Sequence, residues 1–252
     1  AAVRAALPDP GPRGVDWGAV RERVRTQAWA RNALETIRRN VAEVRADFPE
    51  PPFGTAGWAH DYYCEKDATK LRYEPKKPLE HVCGKCGQVY TDARRNEAWV
   101  DATYKRIHRA VRQSGLLFRV AGDRAAADYG RATLLWFAEH YAQFQTHWKH
   151  AGQGRIMGQS LCEATSMVDL ALGYWDLYPA LSEAERERIV KDLLLPSAAL
   201  IHRQTGVIHN IHSWHNAAVG LIGLAAGDAG LVDAAVDGPF GLEAQIAKGA
   251  VE

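Results

Sequence analysis

The sequence has few features of a membrane protein, a nucleic-acid-binding protein or a disulfide-stapled scaffold. No apolar run among the 252 residues reaches the ~18 residues that a membrane-spanning helix needs, so we expect no membrane partner. The formal net charge is only +1, and no global basic field points to nucleic acid. Two of the four cysteines form Cys83-x-x-Cys86, which does not resemble a dense disulfide framework.

The start of the chain also lacks familiar targeting signals. Ala1-Ala2-Val3-Arg4 contains neither an initiator methionine nor a hydrophobic signal segment. A mature protein after signal removal and a shortened chain would both begin in this way. Our expectation is a secreted or periplasmic protein rather than a cytoplasmic one.

Helical patterns fill most of the chain. Apolar residues recur at three- and four-residue spacing over residues 15–48, which predicts one long amphipathic helix or two with a break. Further helices are predicted at 98–114, 123–147, 158–178, 182–203, 213–226 and 242–248. The predicted N-caps are Asp123, Ser182 and Ser213, and the predicted C-terminal glycines are Gly115 and Gly227. The class is therefore mainly α, with short connections that favour antiparallel neighbours.

One segment interrupts the helical pattern. Residues 58–91 are rich in Pro, Gly, Tyr and Cys, and short strands are expected near residues 62–63, 70–73 and 88–90. We predict three parts: an N-terminal helical segment at 1–57, a small Cys-rich knuckle insertion at 58–91, and helical hairpins at 92–252.

The insertion carries a candidate metal site. Its ligands would be Cys64, Asp67, Cys83 and Cys86, two pairs at i and i+3 spacing on tight turns, as in a zinc ribbon. Asp67 stands where a second Cys or His is usual, and His60 or His81 could replace it as ligand. A structural metal ion, most simply zinc, is the favoured interpretation. A degenerate knuckle without metal and a disulfide are the alternatives, and Cys162 is expected to be a buried small apolar residue.

A second candidate site is the histidine-rich stretch at residues 209–216. His209, His212, His215, two asparagines and Trp214 fall where a loop enters a predicted helix, whose N-terminus favours an anion. Most single histidines are structural, but such a cluster beside an aromatic residue favours a functional site. A second metal site at the three histidines is conceivable, without an obvious carboxylate partner.

A third constellation surrounds Arg155. Gln159 and Glu163 are spaced i, i+4 and should share a helix face. A solvated face is the simple interpretation. If the face lines a groove, Gln159 could bond sugar hydroxyls and Glu163 could orient a neighbour such as His212.

Together these stretches resemble the heparinase II/III and oligo-alginate lyase superfamily of polysaccharide lyases. The matching residues run from about Trp58 onward: Cys64…Cys83-x-x-Cys86-Gly-x-Val-Tyr, Arg155-Ile-Met-x-Gln159-x-Leu-x-Glu163-Ala and Asn210-Ile-His-x-Trp214-His-Asn216-Ala-Ala. The resemblance implies an incomplete (α/α) toroid of helical hairpins with a zinc-ribbon-like β insertion, followed by β-sandwich domains. It also implies β-elimination on an acidic polysaccharide such as heparin, heparan sulfate, another glycosaminoglycan or alginate, with no organic cofactor.

The resemblance assigns roles to particular residues. Asn210 and His212 would neutralise the uronate carboxylate and act as the base or its partner, and His215 is the alternative. Trp214 would stack on a sugar or brace the site, with core packing equally open. Arg94 or Arg95 could hold a carboxylate or sulfate bidentately, although a surface role fits each of them too.

The match departs from the family in one respect. The catalytic tyrosine is expected in a segment several dozen residues after the histidine motif, so we predict that this chain stops before that tyrosine and before the β-sandwich. Tyr104, Tyr141 and Tyr174 are the stand-ins available here. Two other functions stay open: a non-catalytic carbohydrate-binding domain, and a toroidal glycoside hydrolase using carboxylates such as Glu163 and Asp169.

Overall fold

The computed structural model describes residues 14–149 and 152–249. Ten α-helices occupy most of this part of the chain: α1 Trp17–Thr26, α2 Ala28–Asp47, α3 Ala93–Ala121, α4 Arg124–His140, α5 Ser160–Leu177, α6 Glu183–Ile189, α7 Leu195–His202, α8 Asn210–Ala226, α9 Ala229–Val236 and α10 Leu242–Gly249. Two antiparallel two-stranded ribbons complete it: β1 His81–Val82 with β2 Val89–Tyr90, and β3 His147–Trp148 with β4 Gln153–Gly154. The prediction of a mainly α protein is confirmed.

Helices α3, α5 and α8 pack in succession, α3 against α5 and α5 against α8. Helix α4 packs against α3 and α5, α7 packs against α5 and α8, and α9 packs against α8. The shared core is apolar and includes Ile107, Leu134, Met167, Leu193 and Ile222, all fully buried.

The N-terminal pattern gives two helices with a break, as one of the two predicted alternatives. Asp16 caps α1 by accepting a hydrogen bond of 2.9 Å from the backbone N–H of Ala19. Gln27 has an extended backbone and separates α1 from α2. The first 13 residues of the predicted 1–57 segment lie outside the described residues.

The long helix α3 overturns the predicted role of Gly115. The helix continues past this glycine and ends at Gly122, whose φ of +66° is the left-handed C-terminal conformation. A Cβ at Gly115 would lie 2.6 Å from the Cβ of Asp176, so the glycine serves the close approach of α3 to α5. Gly173 of α5 has a matching role, since its Cβ would lie 2.7 Å from the Val111 side chain.

The other helix ends divide into confirmed and wrong predictions. Asp123 caps α4, Ser182 forms a capping box with Glu185, and Gly227 ends α8 with a φ of +67°. Helix α4 ends at His140 rather than near His147, because a 3₁₀ turn and the β3–β4 hairpin follow. Ser213 is not an N-cap: α8 begins at Asn210, and His209 caps it.

The predicted helix 182–203 contains a π-helical turn. Residues Val190–Leu194 adopt this turn between α6 and α7. Pro196 follows at the start of α7 and has no N–H for the carbonyl of Asp192, so regular α-helical hydrogen bonding cannot continue through this region. The π turn accommodates that break without ending the rod of helix.

The insertion has fewer strands than predicted. β1 and β2 pair with His81 opposite Tyr90, and isolated bridges join Tyr63 to Lys70 and Leu71 to Cys83. The expected strand near residues 88–90 is confirmed as β2, whereas the other two expected strands are reduced to single bridges. No helix in the described part of the chain is long and apolar enough to span a membrane.

Candidate functional site

The start of α8 is shaped by residues outside it. His209 is extended and its Nδ1 accepts a hydrogen bond of 3.2 Å from the N–H of Ile211. Gln245 of α10 accepts from the N–H of His209 at 3.0 Å and donates to the carbonyl of Val207 at 3.1 Å. These contacts fix the turn that carries the histidines onto the helix.

The three histidine rings lie in series. The ring centres of His209 and His212 are 6.2 Å apart, and those of His212 and His215 are 4.9 Å apart. His209 is exposed, His212 is half-buried, and His215 is only 1% exposed. The series therefore runs from solvent into the core.

His212 presents one ring nitrogen for chemistry. Its Nδ1 lies 2.7 Å from the carbonyl oxygen of Val207 and 3.2 Å from the N–H of the same residue. Nδ1 accepts from the N–H in one tautomer and donates to the carbonyl in the other, so Val207 holds the ring in both. In the tautomer in which Nδ1 donates, Nε2 carries the lone pair that a proton acceptor requires.

His215 is a buried neutral histidine. Its Nδ1 lies 3.3 Å from the Thr205 hydroxyl, and its Nε2 is buried with no hydrogen-bond partner among the described residues. Burial, with a smaller contribution from the charge of His212, lowers the pKa of His215 to about 4. His215 is therefore uncharged at neutral pH and can support the ring of His212 without competing for its proton.

The structure does not assemble a metal site from these histidines. Within the described ranges, the one group of at least three close ligand atoms is the cysteine cluster. His209 stands before the helix and its Nδ1 is engaged by Ile211, so it does not converge with the other two rings. The second metal site considered from the sequence is not supported.

The other predicted residues of this stretch face outward. Asn210 is exposed as the first residue of α8, and Trp214 is 46% exposed. Core packing of Trp214 is therefore not observed. Asn216, whose role was not assigned, is buried and donates to the carbonyl of Phe240 at 2.7 Å.

Glu163 lies in the core rather than on a groove. Its carboxylate accepts from the N–H of Met157 at 2.8 Å, the N–H of Arg155 at 3.2 Å and the hydroxyl of Tyr141 at 3.2 Å. It is fully buried, and burial raises its pKa. The condition under which Glu163 could orient His212, a face that lines a groove, is therefore not met, and these three donors show instead that Glu163 shapes the 155–157 turn.

Gln159 and Arg155 have equally defined positions. Gln159 is buried at the start of α5 and donates to the Cys162 sulfur at 3.5 Å. The Arg155 guanidinium donates to the carbonyls of Tyr141 and Ala142, at 3.4 and 3.3 Å, and lies over the Tyr141 ring. Arg155 is half-buried and also lines an open cleft, whereas Gln159 has little surface to offer.

Two arginines at the start of α3 hold the insertion. Arg94 forms an ion pair of 2.7 Å with Asp61, and the buried Arg95 forms one of 2.6 Å with Glu65 while lying over the Tyr90 ring. Cys162 is buried, as expected. The tyrosines considered as stand-in acids, Tyr104, Tyr141 and Tyr174, are at most 2% exposed. Their hydroxyls therefore cannot meet a polymer in this conformation.

The cysteine cluster has the dimensions of a tetrahedral metal centre. The Cys64 sulfur lies 3.7 Å from the Cys86 sulfur and 3.8 Å from an Asp67 oxygen, which is 3.6 Å from the Cys83 sulfur. Zinc bond lengths imply ligand separations of about 3.8 Å between sulfurs and about 3.5 Å between sulfur and oxygen. All four cysteines of the chain are free thiols, so the disulfide alternative is not observed.

Two matching turns build this cluster. In the first, Ala68 donates to the carbonyl of Cys64, and Cys64 donates to that of Thr69, at 2.9 and 2.8 Å. In the second, the Gly87 and Cys83 N–H groups repeat these bonds at 3.0 and 2.8 Å. Ala68 and Gly87 both have positive φ, at +52° and +75°. Asp67 therefore occupies in the first turn the position that Cys86 occupies in the second.

The surroundings of the sulfurs favour a cation. The Thr69 hydroxyl, 3.4 Å from the Cys83 sulfur, lowers the pKa of Cys83 to about 7. A hydrogen bond to the adjacent Asp67 carboxylate raises the pKa of Cys86 to about 12, and a divalent cation bound by both groups would displace that proton. The Tyr90 hydroxyl donates to the Cys64 sulfur at 3.3 Å, a contact for which the sequence carries no signal.

The alternative ligands of this cluster are engaged elsewhere. His81 is fully buried, with its ring nitrogens 3.0 Å from the Tyr62 hydroxyl and 2.9 Å from the Asn96 side chain. His60 packs against Trp58 with ring centres 4.4 Å apart. Asp67 is thus the fourth member of the cluster.

Comparison with known proteins places this architecture in a family. The family model described as alginate lyase matches residues 50–251, which include the cysteine cluster and the histidine series. The chain belongs to the alginate lyase family. This finding confirms the oligo-alginate lyase side of the resemblance and leaves the heparinase side as a prediction.

Two curated relatives of this alginate lyase family member carry lyase names. An alginate lyase of Stenotrophomonas maltophilia (strain K279a) is 33% identical over 140 residues, which cover 54% of this chain and 19% of that protein. An exo-oligoalginate lyase of Saccharophagus degradans (strain 2-40 / ATCC 43961 / DSM 17024) is 31% identical over 141 residues, with the same coverage. The matched part is thus about a fifth of each relative's length.

Proposed function

We propose that this chain is the helical part of a polysaccharide lyase that cleaves a uronate polymer of the alginate type by β-elimination. The observation that carries the proposal is His212, a half-buried histidine whose ring is held at Nδ1 by Val207, so that Nε2 is the nitrogen that can act on a substrate. The printed names of both relatives, an alginate lyase and an exo-oligoalginate lyase, favour alginate over glycosaminoglycans.

In this mechanism His212 Nε2 removes the proton from C5 of the uronate. The proton becomes acidic enough only when the neighbouring carboxylate is neutralised, and the exposed amide of Asn210 would donate to that carboxylate. Electrons from the C–H bond form the C4–C5 double bond as the C4–O bond breaks. Of the two histidines weighed as base, His212 is favoured because His215 is only 1% exposed.

The acid that protonates the leaving oxygen would come from another part of the protein. Tyr104, Tyr141 and Tyr174 are excluded by burial, and their hydroxyls are held in the core. We therefore retain the proposal of a tyrosine and a β-sandwich that follow this chain. We also propose that the packed helices α3 to α9 are an arc of an (α/α) toroid, and that the protein is secreted or periplasmic.

The positions of the candidate catalytic carboxylates argue against the glycoside hydrolase alternative. Glu163 is fully buried, and Asp169 forms an ion pair of 3.2 Å with Arg112. Paired carboxylates facing one sugar are required for hydrolysis. A non-catalytic binding domain remains the second candidate, because it needs only the exposed Trp214 and Asn210.

The test is formation of the unsaturated uronate, which absorbs in the near ultraviolet. Alginate, heparan sulfate, hyaluronan and chondroitin sulfate are offered separately to this chain and to a version extended past Glu252. We expect absorbance to rise with alginate and the extended version. His212→Ala should abolish the rise and His202→Ala, at an exposed histidine of α7, should not. Binding of alginate with no absorbance change would favour the binding domain.

We further propose that Cys64, Asp67, Cys83 and Cys86 hold a structural zinc ion. The support is the agreement of their separations with a tetrahedral site and the two matching turns. A closed site with four protein ligands leaves no position for substrate, so its role is to stabilise the insertion against α3. Metal analysis of the purified protein should give one zinc per chain, and none in Cys83→Ser.

A further inference from the structure

An open cleft lies between the end of α4 and the rod formed by α6, the π turn and α7. Its volume is about 340 Å³. Six charged side chains line it: Glu139, Arg155, Arg188, Lys191, Asp192 and Arg203. Four cations and two carboxylates give a formal charge of +2, in a chain whose net charge is only +1. The cleft is therefore a local basic site on a nearly neutral protein.

The carboxylates do not neutralise the cleft. Arg188 pairs with Glu139 at 3.2 Å, which accounts for one cation. Arg155 donates to neutral carbonyl groups. Among the described residues, neither Lys191 nor Arg203 has a carboxylate oxygen within 4.0 Å, and both are exposed. These two side chains are free to bind an anion.

The π turn carries two of the charged side chains that line the cleft. Lys191 and Asp192 belong to the turn, and Pro196, which prevents regular helical hydrogen bonding there, also lines the cleft. Turns of this kind recur where a helix presents a side chain for function. Apolar wall residues such as Leu200 and Ala142 offer contact to a ring carbon face.

The cleft is linked to the histidine series by a short segment of chain. Arg203 is two residues before Thr205, whose hydroxyl lies 3.3 Å from His215. Two residues of chain span at most about 7 Å between Cα atoms. Between them, Gln204 clamps the β3–β4 hairpin, donating to the carbonyl of Gln153 at 2.8 Å. This short connection is the observation that places the cleft near the histidine series.

We propose that this cleft binds the carboxylate of a second uronate unit, through Lys191 and Arg203 with Arg155 at its wall. This inference rests on the proposed uronate substrate and extends it to a neighbouring subsite. Arginine suits the ligand because its planar fork matches a carboxylate, while lysine adds a mobile charge. The cleft takes no part in the chemical step. It holds the polymer in position for His212.

The test measures equilibrium binding of alginate di- and tetrasaccharides by calorimetry, so that cleavage is not needed for a signal. Lys191→Ala/Arg203→Ala should weaken tetrasaccharide binding at least tenfold and affect the disaccharide less. The matched control is Arg23→Ala/Arg39→Ala, which removes the same charge from exposed positions on α1 and α2 and should change binding less than twofold.

Each other outcome overturns the subsite. Equal losses in both double variants would mean general electrostatic attraction, and no loss in the cleft variant would place the polymer elsewhere. If millimolar inorganic sulfate competes as strongly as the tetrasaccharide does, the cleft is a site for small anions and not a uronate subsite. The lyase proposal is judged separately by the absorbance assay, since His212→Ala should abolish cleavage while the cleft variant raises KM and leaves kcat nearly unchanged.

Discussion

The cysteine cluster and the histidine series are held in different ways. Each of the two tight turns of the cysteine cluster is closed by backbone bonds that span five residues or fewer, and the nearby Leu71–Cys83 bridge joins the two turns. The histidine series relies on distant segments: Gln245 is 36 residues from His209, and Phe240 is 24 residues from Asn216. The first site is a local chelate and the second depends on tertiary packing. Loss of one ligand should therefore disrupt the cysteine cluster strongly and locally. Substitutions around the histidine series should instead have partial effects of differing size.

The largest expected effect is at the cysteine cluster. Cys83→Ser should lower zinc affinity by more than about 100-fold, since even changes behind the ligands cost 10- to 100-fold. Hydrogen exchange should rise across residues 58–91, while the helical circular dichroism is retained. Asp67→Cys should keep the metal, because cysteine already fills the matching place in the second turn. Cys162→Ser, at a core position, is the control, and metal loss there would contradict the assignment.

The next effect is a pH dependence from His215. Its native pKa is about 4, below the 6.5 of an unperturbed histidine. Between those values the unfolded chain binds a proton that the native protein does not, so stability falls as pH falls through this window, by up to about 3 kcal/mol. Denaturant unfolding at a series of pH values from 7 to 4 should show that the free energy of unfolding depends less steeply on pH in His215→Asn. An unchanged slope would place the titration elsewhere, for example at the buried His108, whose pKa burial lowers to about 3.

A moderate effect is expected at Glu163. Glu163→Gln puts an amide N–H₂ in place of one acceptor oxygen, so one of its three donors loses its partner. The free energy of unfolding should fall by about 1.5–3 kcal/mol, as for hydrogen bonds to charged groups. The exposed Glu187→Gln is the control. Loss of activity with unchanged stability would instead return Glu163 to the substrate site.

The smallest effect is expected at Arg94. Its ion pair with Asp61 involves an arginine side chain that is 57% exposed, so Arg94→Ala should cost less than about 1 kcal/mol. Alginate binding should stay within twofold of the unchanged protein. A larger loss of binding would show that Arg94 holds a substrate carboxylate, as the resemblance suggested.

Local chemistry explains which elements were predictable. The caps Asp123 and Ser182 act on N–H groups three residues away, and the turn of Cys83-x-x-Cys86 is closed by backbone bonds of its own. The prediction that Gly115 ends its helix is wrong because this glycine allows α3 to pack closely against α5. The residues next to it in the sequence do not show which distant helix will pack there. Ser213 was misjudged because the turn held by Gln245 starts α8 at Asn210.

By itself, the sequence determined the mainly helical class, the three cysteines of the cluster and the stretch that carries the histidines, while the break in the N-terminal helix and the choice of Asp67 were left between alternatives. Tertiary structure alone decided that Glu163 is buried beneath Tyr141, that His215 is enclosed while His212 is half-exposed, and that Lys191 and Arg203 share a cleft with Arg155. The physical reason is distance along the chain. Turns and caps are fixed by neighbours a few residues away, whereas burial and charge pairing depend on which distant helices meet.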